Sequence, residues 1–447
     1  MTDFETLSQK LLKAAKDAGA QAADVLLVDG QSVSVDVRDG ALEHAERSEG
    51  VDVGLRVLMG QRQACVSASD ISDYTLEQMA QRAVAMANEA PEDPYIGLAD
   101  ADQLAQSWDV DALDLADTSD KPSSELMQET AQAAEAAALA VKGVSKAQGS
   151  SCGWSDTQVY LAASNGFAGG YRRTAFSTSC VAIAGEGLQM ERDYCGEGRA
   201  HWAHVPDAQE VGQLAGERAV AKFGPTKPPT GSYPVLFDER ISSTLIGHVL
   251  AATNGSSIIR GSSWLKDALG EQVLPKGVTL LEDPTRPRTS GAKPFDAEGL
   301  PVAPRDVIAD GVLTGWTLDL ASGRKLGMPS TSNASRSVGG PPSPSTGNLE
   351  LLGGTKSRDA LIAEMGTGLL VTGLIGSTIS PTTGDYSRGA SGFWVENGEI
   401  VRPVNECTIA GNLRDMLKTI VLGNDGRAHL SRVIPSILVE RLTIAGA

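Results

Sequence analysis

The stretch Val33-Ser34-Val35-Asp36-Val37-Arg38-Asp39-Gly40 decides the fold class. Valine at every second position is the period of a strand with one buried face, and Asp-Gly tolerates the positive φ angles of a tight hairpin turn. Two further β-like runs follow at Val51 to Met59 and Gln63 to Ala68, so the stretch opens an antiparallel meander. Helical patterns bracket it. Phe4, Leu7, Leu11, Leu12 and Ala15 recur at helical spacing with Gly19 placed to cap, and Leu76, Met79, Ala80, Ala83 and Ala87 share one face between Tyr74 and Ala90.

The same order then returns. An Ala-rich helix is expected from Ser124 to Val141, strands at Gln158 to Ala163 and Arg172 to Ala184, and a helix from Asp207 to Phe223, with Asn165-Gly166 standing where Asp39-Gly40 stands in the first unit. Residues 1–225 therefore read as an α+β domain, with 1–90 and 121–225 as two helix, meander, helix units of an internal duplication. The competing reading is that hairpins and Ala-rich helices look alike anywhere. Between the units, Glu89 to Asp120 holds ten Asp or Glu and no Lys or Arg, the composition of a solvated connector.

Gly224-Pro225-Thr226-Lys227-Pro228-Pro229-Thr230-Gly231 marks the domain boundary, because prolines and glycines cannot extend the preceding helix. Residues 226–447 form the second, Gly-rich and β-rich domain. Strands are expected there at Tyr233 to Phe237, Leu369 to Leu374, Phe393 to Val401 (turning at Asn397-Gly398) and Ser436 to Ile444, and helices at Arg240 to Ala252 and Asn412 to Ile420. Together these give an α+β protein of two domains, antiparallel sheets with flanking helices.

The chain of 447 residues carries 38 Lys plus Arg against 56 Asp plus Glu, a formal charge of −18. Such a chain repels phosphate backbones and anionic lipid, and no basic cluster offsets this, so nucleic acid and membrane are not expected partners. Five scattered cysteines without a Cys-x-x-Cys pair fit a reducing compartment, and the polar N-terminus carries no signal-like apolar run. A cytoplasmic protein is expected.

None of the five histidines is followed by Glu, so the helix-borne pair that supplies zinc ligands and a general base is missing. His248 lies in a largely apolar helix, where a packed or interface histidine is the stronger reading. His201 and His204, near Cys195, would make a metal site only in a minority of such arrangements; exposed histidines at a strand-to-helix junction are favoured. Gly149-Ser150-Ser151-Cys152-Gly153 matches G-x-S-x-G but follows a helix and precedes a strand, the wrong order for a nucleophile elbow, and reads as a flexible turn. No phosphate-binding glycine motif occurs. Two irregular segments stand out: Gly327 to Asn348, and Gly384-Asp385-Tyr386-Ser387-Arg388-Gly389-Ala390-Ser391-Gly392-Phe393-Trp394, a loop whose glycines allow close approach to a ligand.

The run from Pro381 through Gly384-Asp385-Tyr386-Ser387-Arg388-Gly389 to Ile400, followed by Thr408-Ile409-Ala410-Gly411-Asn412-Leu413, resembles the C-terminal signature of the TldD/PmbA (modulator of DNA gyrase) family, nearest the PmbA or TldE branch. The similarity extends over the whole chain, including Gly327 to Asn348. The resemblance implies a cytoplasmic heterodimeric zinc metallopeptidase that trims unfolded or extended peptides inside a cavity between two subunits, linked to maturation of a peptide antibiotic and removal of an antitoxin. In that family the TldD-type chain carries His-Glu-x-x-x-His. Here the corresponding helix reads Leu245-Ile246-Gly247-His248-Val249-Leu250, so the resemblance implies a non-catalytic chain with no cofactor of its own and zinc in a TldD-like partner; whether a homodimer forms when that partner is missing is left open by the sequence. Asp385, Tyr386, Ser387, Arg388 and Ser391, with Arg336, are the candidate contacts to substrate or partner; no residue of this chain is expected to be catalytic or to bind metal. Two other readings stay open: a serine-type hydrolase using Ser151 or Ser391 with a histidine in reach, and a non-enzymatic peptide- or protein-binding regulator.

Overall fold

The computed structural model describes residues 3–446. Asp3 caps α1 (Phe4–Asp17) by accepting the Thr6 N–H at 3.1 Å, and Phe4, Leu7, Leu11 and Ala15 form its buried face. There follow β1 (Ala22–Arg38), β2 (Ala41–Met59), β3 (Arg62–Ala68) and α2 (Asp73–Glu89). The order repeats as helix Ser124–Ala140, β4 (Val144–Ala163), β5 (Ala168–Ala184), β6 (Glu191–Arg199) and helix Ala208–Ala221. All six strands join one antiparallel sheet in the order β3-β2-β1-β4-β5-β6. The two units meet at their first strands, β1 pairing with β4 from Asp24↔Ala163 to Val37↔Ser150, so the strand order is symmetric about that seam.

Alternation assigns the two faces of the sheet. Val25, Leu27, Val53, Leu55 and Val57 pack under α1 and α2, while Val35, Val37 and Cys152 pack with Met127 and Ala131 of the third helix. Leu26, Val28, Val159, Leu161, Tyr171 and Arg173 point the other way, toward the C-terminal half. Gly149 to Gly153 lies inside β4 rather than in a turn: ladders to β1 and β5 on both sides hold a Gly/Ser-rich segment extended.

The acidic segment 89–120 differs from the expected solvated connector. Ala99, Leu104 and Ala105 pack with Phe167, Phe295, Leu300 and Leu320, and Leu113 and Leu115 pack on Ala292. Apolar residues interspersed among the acids turn the segment into a strap between the halves. The buried Asp117 accepts from Ser119 N–H at 2.8 Å and Trp202 N–H at 2.9 Å.

In the C-terminal half, β7 (Gly231–Phe237) lies parallel to strand Gly368–Ile379 and antiparallel to strand Ile437–Ala445. Strands Asp385–Glu396 and Glu399–Asn412 continue from Gly368–Ile379, and Glu399–Asn412 pairs back onto Ile437–Ala445, which closes a ring of five strands. Helix Glu239–Thr253 packs beside it through Leu245, Ile246 and Val249. A second sheet of short strands contains Thr279–Glu282, Arg305–Ala309 and Leu349–Leu352. The segment Asp385 to Trp394 is thus a strand with neighbours on both edges, not a loop. Its glycines serve packing: a Cβ on Gly392 would overlap the Leu370 carbonyl oxygen.

Candidate functional site

Strand Asp385–Glu396 and helix Glu239–Thr253 bring together His248 and Tyr386, far apart in the chain. Tyr386, Arg388 and Ala390 share one face of the strand by its period of two, and His248 of the helix meets Tyr386 edge-on, ring centroids 5.9 Å apart. Gly384, at φ +83°, starts the strand against the Trp264 ring, where a Cβ would touch at 3.4 Å. Strand Gly368–Ile379 shifts register between Ile375 and Thr378 opposite this point, with Gly376 at φ +70°.

Three polar atoms are left without hydrogen-bond partners there: His248 Nε2, Tyr386 Oη and Arg388 Nε, all buried. Burial lowers the pKa of His248, and the Arg388 cation lowers it further, so the imidazole is neutral at pH 7. Burial pushes the Tyr386 phenol up to about 12, against the opposing pull of Arg388. A neutral imidazole, a protonated phenol and a guanidinium offer donors to an anion or a carbonyl oxygen. They do not suit a zinc ion, which takes three protein donors such as His, Cys or carboxylate in a catalytic site and would stand beside a like charge. Among the described residues no group of three or more His, Cys, Asp or Glu could hold a metal ion.

The remaining candidates disperse. Asp385 lies at the exposed start of the strand, accepting from Thr383 Oγ1 at 2.6 Å and Asn412 Nδ2 at 3.0 Å, and these bonds hold its carboxyl below the ordinary value. Ser387 sits on the face opposite Tyr386 and Arg388. Ser391 follows further along that opposite face, against Gly373. Arg336 is not an accessible loop contact: its side chain is fully buried, paired with Asp24 of β1. Asp24 also accepts from Arg56 Nε at 2.7 Å; burial pulls its carboxyl up, but the two guanidiniums outweigh this and hold it below the ordinary value.

Ser151 lies in β4, where its hydroxyl donates to Asp36 Oδ1 at 2.5 Å, and among the described residues no histidine bonds to it or to Ser391. His201 is not an ordinary exposed histidine: its Nε2 stands 3.0 Å from Asp114 Oδ1. By sequence His248 reads as a packed or interface histidine. The signal that it belongs with Tyr386 and Arg388 is tertiary, since helix and strand are far apart in the chain.

Three family profiles match the chain: PmbA/TldA metallopeptidase domain 1 over residues 23–87, the central domain over 113–223 and the C-terminal domain over 230–446. Metalloprotease PmbA of Escherichia coli O157:H7 is 37% identical over 429 residues, covering 96% of this chain and 93% of that protein. A PmbA homolog of Haemophilus influenzae is 35% identical over 434 residues, covering 97% and 94%. A crystal structure described as a modulator of DNA gyrase, from Bacteroides thetaiotaomicron, matches with a TM-score of 0.92 at 28% identity over 100% of both chains. TldE from Thermococcus kodakarensis matches in fold, with a TM-score of 0.85 at 18% identity over 98% of this chain and 99% of that one.

Proposed function

The chain belongs to the PmbA/TldD metallopeptidase family, and from that premise we propose that it is the TldE-type, non-catalytic subunit of a heterodimeric zinc peptidase. The observation that carries this reading is the environment of His248. Helix Glu239–Thr253 offers one imidazole, and what faces it is a phenol and a guanidinium instead of further ligands and a carboxylate base. Zinc and base then belong to a TldD-like partner carrying His-Glu-x-x-x-His.

On this reading the chain completes a cavity in which an unfolded or extended peptide is held by main-chain hydrogen bonds to a strand edge, a mode that tolerates sequence variation. Arg388, with no carboxylate partner among the described residues, is the residue suited to a carbonyl or carboxylate of the substrate, and Asp385 and Ser387 to contacts with substrate or partner. All five cysteines are free thiols, in keeping with a cytoplasmic assembly. No helix of the described residues is long and apolar enough to cross a membrane. The test is a peptidase assay with an unfolded polypeptide on the purified chain, alone and mixed with a family member bearing the zinc motif. Activity is expected only in the mixture; zinc-dependent cleavage by this chain alone would overturn the reading.

A further inference from the structure

Two cavities lie side by side between the six-stranded sheet and the C-terminal half, of about 300 and about 330 Å³, and Arg173 of β5 and Ser290 line both. The first has an apolar wall of Leu26, Val28, Val159 and Leu161 on the sheet, faced by Lys293, Arg336 and Asp296. The second is lined by Arg173, Arg199, Arg288 and His429, with no Asp or Glu among its lining residues. In a chain of net charge −18 this is a local inversion of sign.

Most of these cations are already balanced. Arg199 pairs with Glu197, which His429 also contacts, Arg288 pairs with Asp114, Arg336 with Asp24, and Lys293 stands in the field of Asp296 and Glu282. Arg173 is the exception. Its Nη1 donates to Ser290 O at 2.9 Å and its Nη2 to Ala292 O at 2.7 Å, while its Nε has no partner and no carboxylate pairs with it among the described residues. Two neutral carbonyls orient the guanidinium without cancelling its charge. Asp296, the one Asp or Glu lining the first cavity, accepts the N–H groups of Glu298 at 2.9 Å, Leu300 at 3.0 Å and Ala334 at 3.1 Å and has Lys293 as its neighbouring cation.

We infer that this cleft binds the carboxylate of a short peptide, with Arg173 as its counter-ion and the apolar sheet wall receiving the adjoining side chain. A concave, mostly apolar site between two halves of a chain, with a few fixed polar groups, is the usual form of a small-ligand pocket. The choice of a peptide as the bearer of the carboxylate rests on the proposed function; the preference for a carboxylate rests on the cleft itself.

The experiment is calorimetric titration of the full-length chain, without partner or zinc, with three probes: acetyl-Ala-Ala-Leu as the free acid, its C-terminal amide, and an amide in which Glu replaces the middle Ala. Binding of the free acid at least about tenfold tighter than the plain amide is expected, falling by about tenfold or more in Arg173→Gln and recovering in part in Arg173→Lys. The Glu-containing amide distinguishes a side-chain carboxylate from a chain terminus as the source. Because Arg173→Gln also removes two bonds to the C-terminal half, Ala175→Phe, which fills the second cavity without touching an ion pair, is the companion variant, expected to weaken binding of the free acid at unchanged melting temperature. Equal binding of acid and plain amide, no binding by the folded wild type, or undiminished binding by both Arg173→Gln and Ala175→Phe would overturn the inference. Peptidase activity of the mixed assembly is read separately, so either idea can fail without the other.

Discussion

Arg336 and Arg388 both come from irregular-looking, Gly-rich stretches of the sequence, and the fold treats them in opposite ways. Arg336 is sealed between the halves of the chain against Asp24, which Arg56 also grips, so its charge is neutralised by structure. Arg388 has no carboxylate partner among the described residues and stands by a neutral imidazole and an unpartnered phenol. A buried guanidinium with a counter-ion holds a protein together. Arg388, half-buried with only its Nε sealed from water, costs little stability without a counter-ion and is suited to a ligand that supplies the missing charge or acceptor.

The sharpest way to break this contrast is Asp24→Asn, which leaves two buried guanidiniums uncompensated. A loss of about 3–5 kcal/mol in denaturant unfolding is expected; a loss under about 1 kcal/mol would mean that the joint does not depend on the charge. A pH-dependent effect is expected at Glu298, whose Oε2 accepts the Leu320 N–H at 2.9 Å beside the same joint. Burial, reinforced by the Asp296 carboxylate, pushes its carboxyl up to about 8 from the ordinary 4.5. An acid raised on folding contributes stability that is complete below its unfolded pKa and is lost as pH rises through the folded one. Glu298→Gln should therefore gain on the wild type progressively from pH 4.5 to about 8, followed by thermal melting across that range. At the other region Tyr386→Phe, which removes a buried hydroxyl without a partner, is expected to leave stability unchanged or raise it by about 1 kcal/mol. The smallest effect is expected for Arg388→Met, within about 0.5 kcal/mol of wild type in unfolding, yet with a clear loss of peptidase activity in the mixed assembly.

The same contrast explains what the sequence disclosed. Where burial follows periodicity, as in the Phe4, Leu7, Leu11 face of α1 or the alternation of Val33, Val35 and Val37, the elements were legible. The start of β4 was not, because Gly149, Ser150, Ser151 and Gly153 have low strand propensity, and Ser150, Ser151 and Gly153 are held by neighbours 110 or more residues away on β1. Strand Asp385–Glu396 looked like a loop for a related reason: Gly389 and Gly392 are there for close approach between strands, which local composition cannot distinguish from flexibility. Of the candidate site, Tyr386 and Arg388 were legible as unusual residues, whereas their meeting with His248, and the burial of Arg336 by Asp24, depend on contacts across the fold.

If the chain leaves the metal to its partner, its own zinc content shows it. Elemental analysis of the full-length chain, purified alone without chelator and re-equilibrated with zinc, is predicted to give well under one zinc per chain, while the chain carrying His-Glu-x-x-x-His gives one. One tightly held zinc per chain in the isolated protein, lost on substitution of His248, would contradict it.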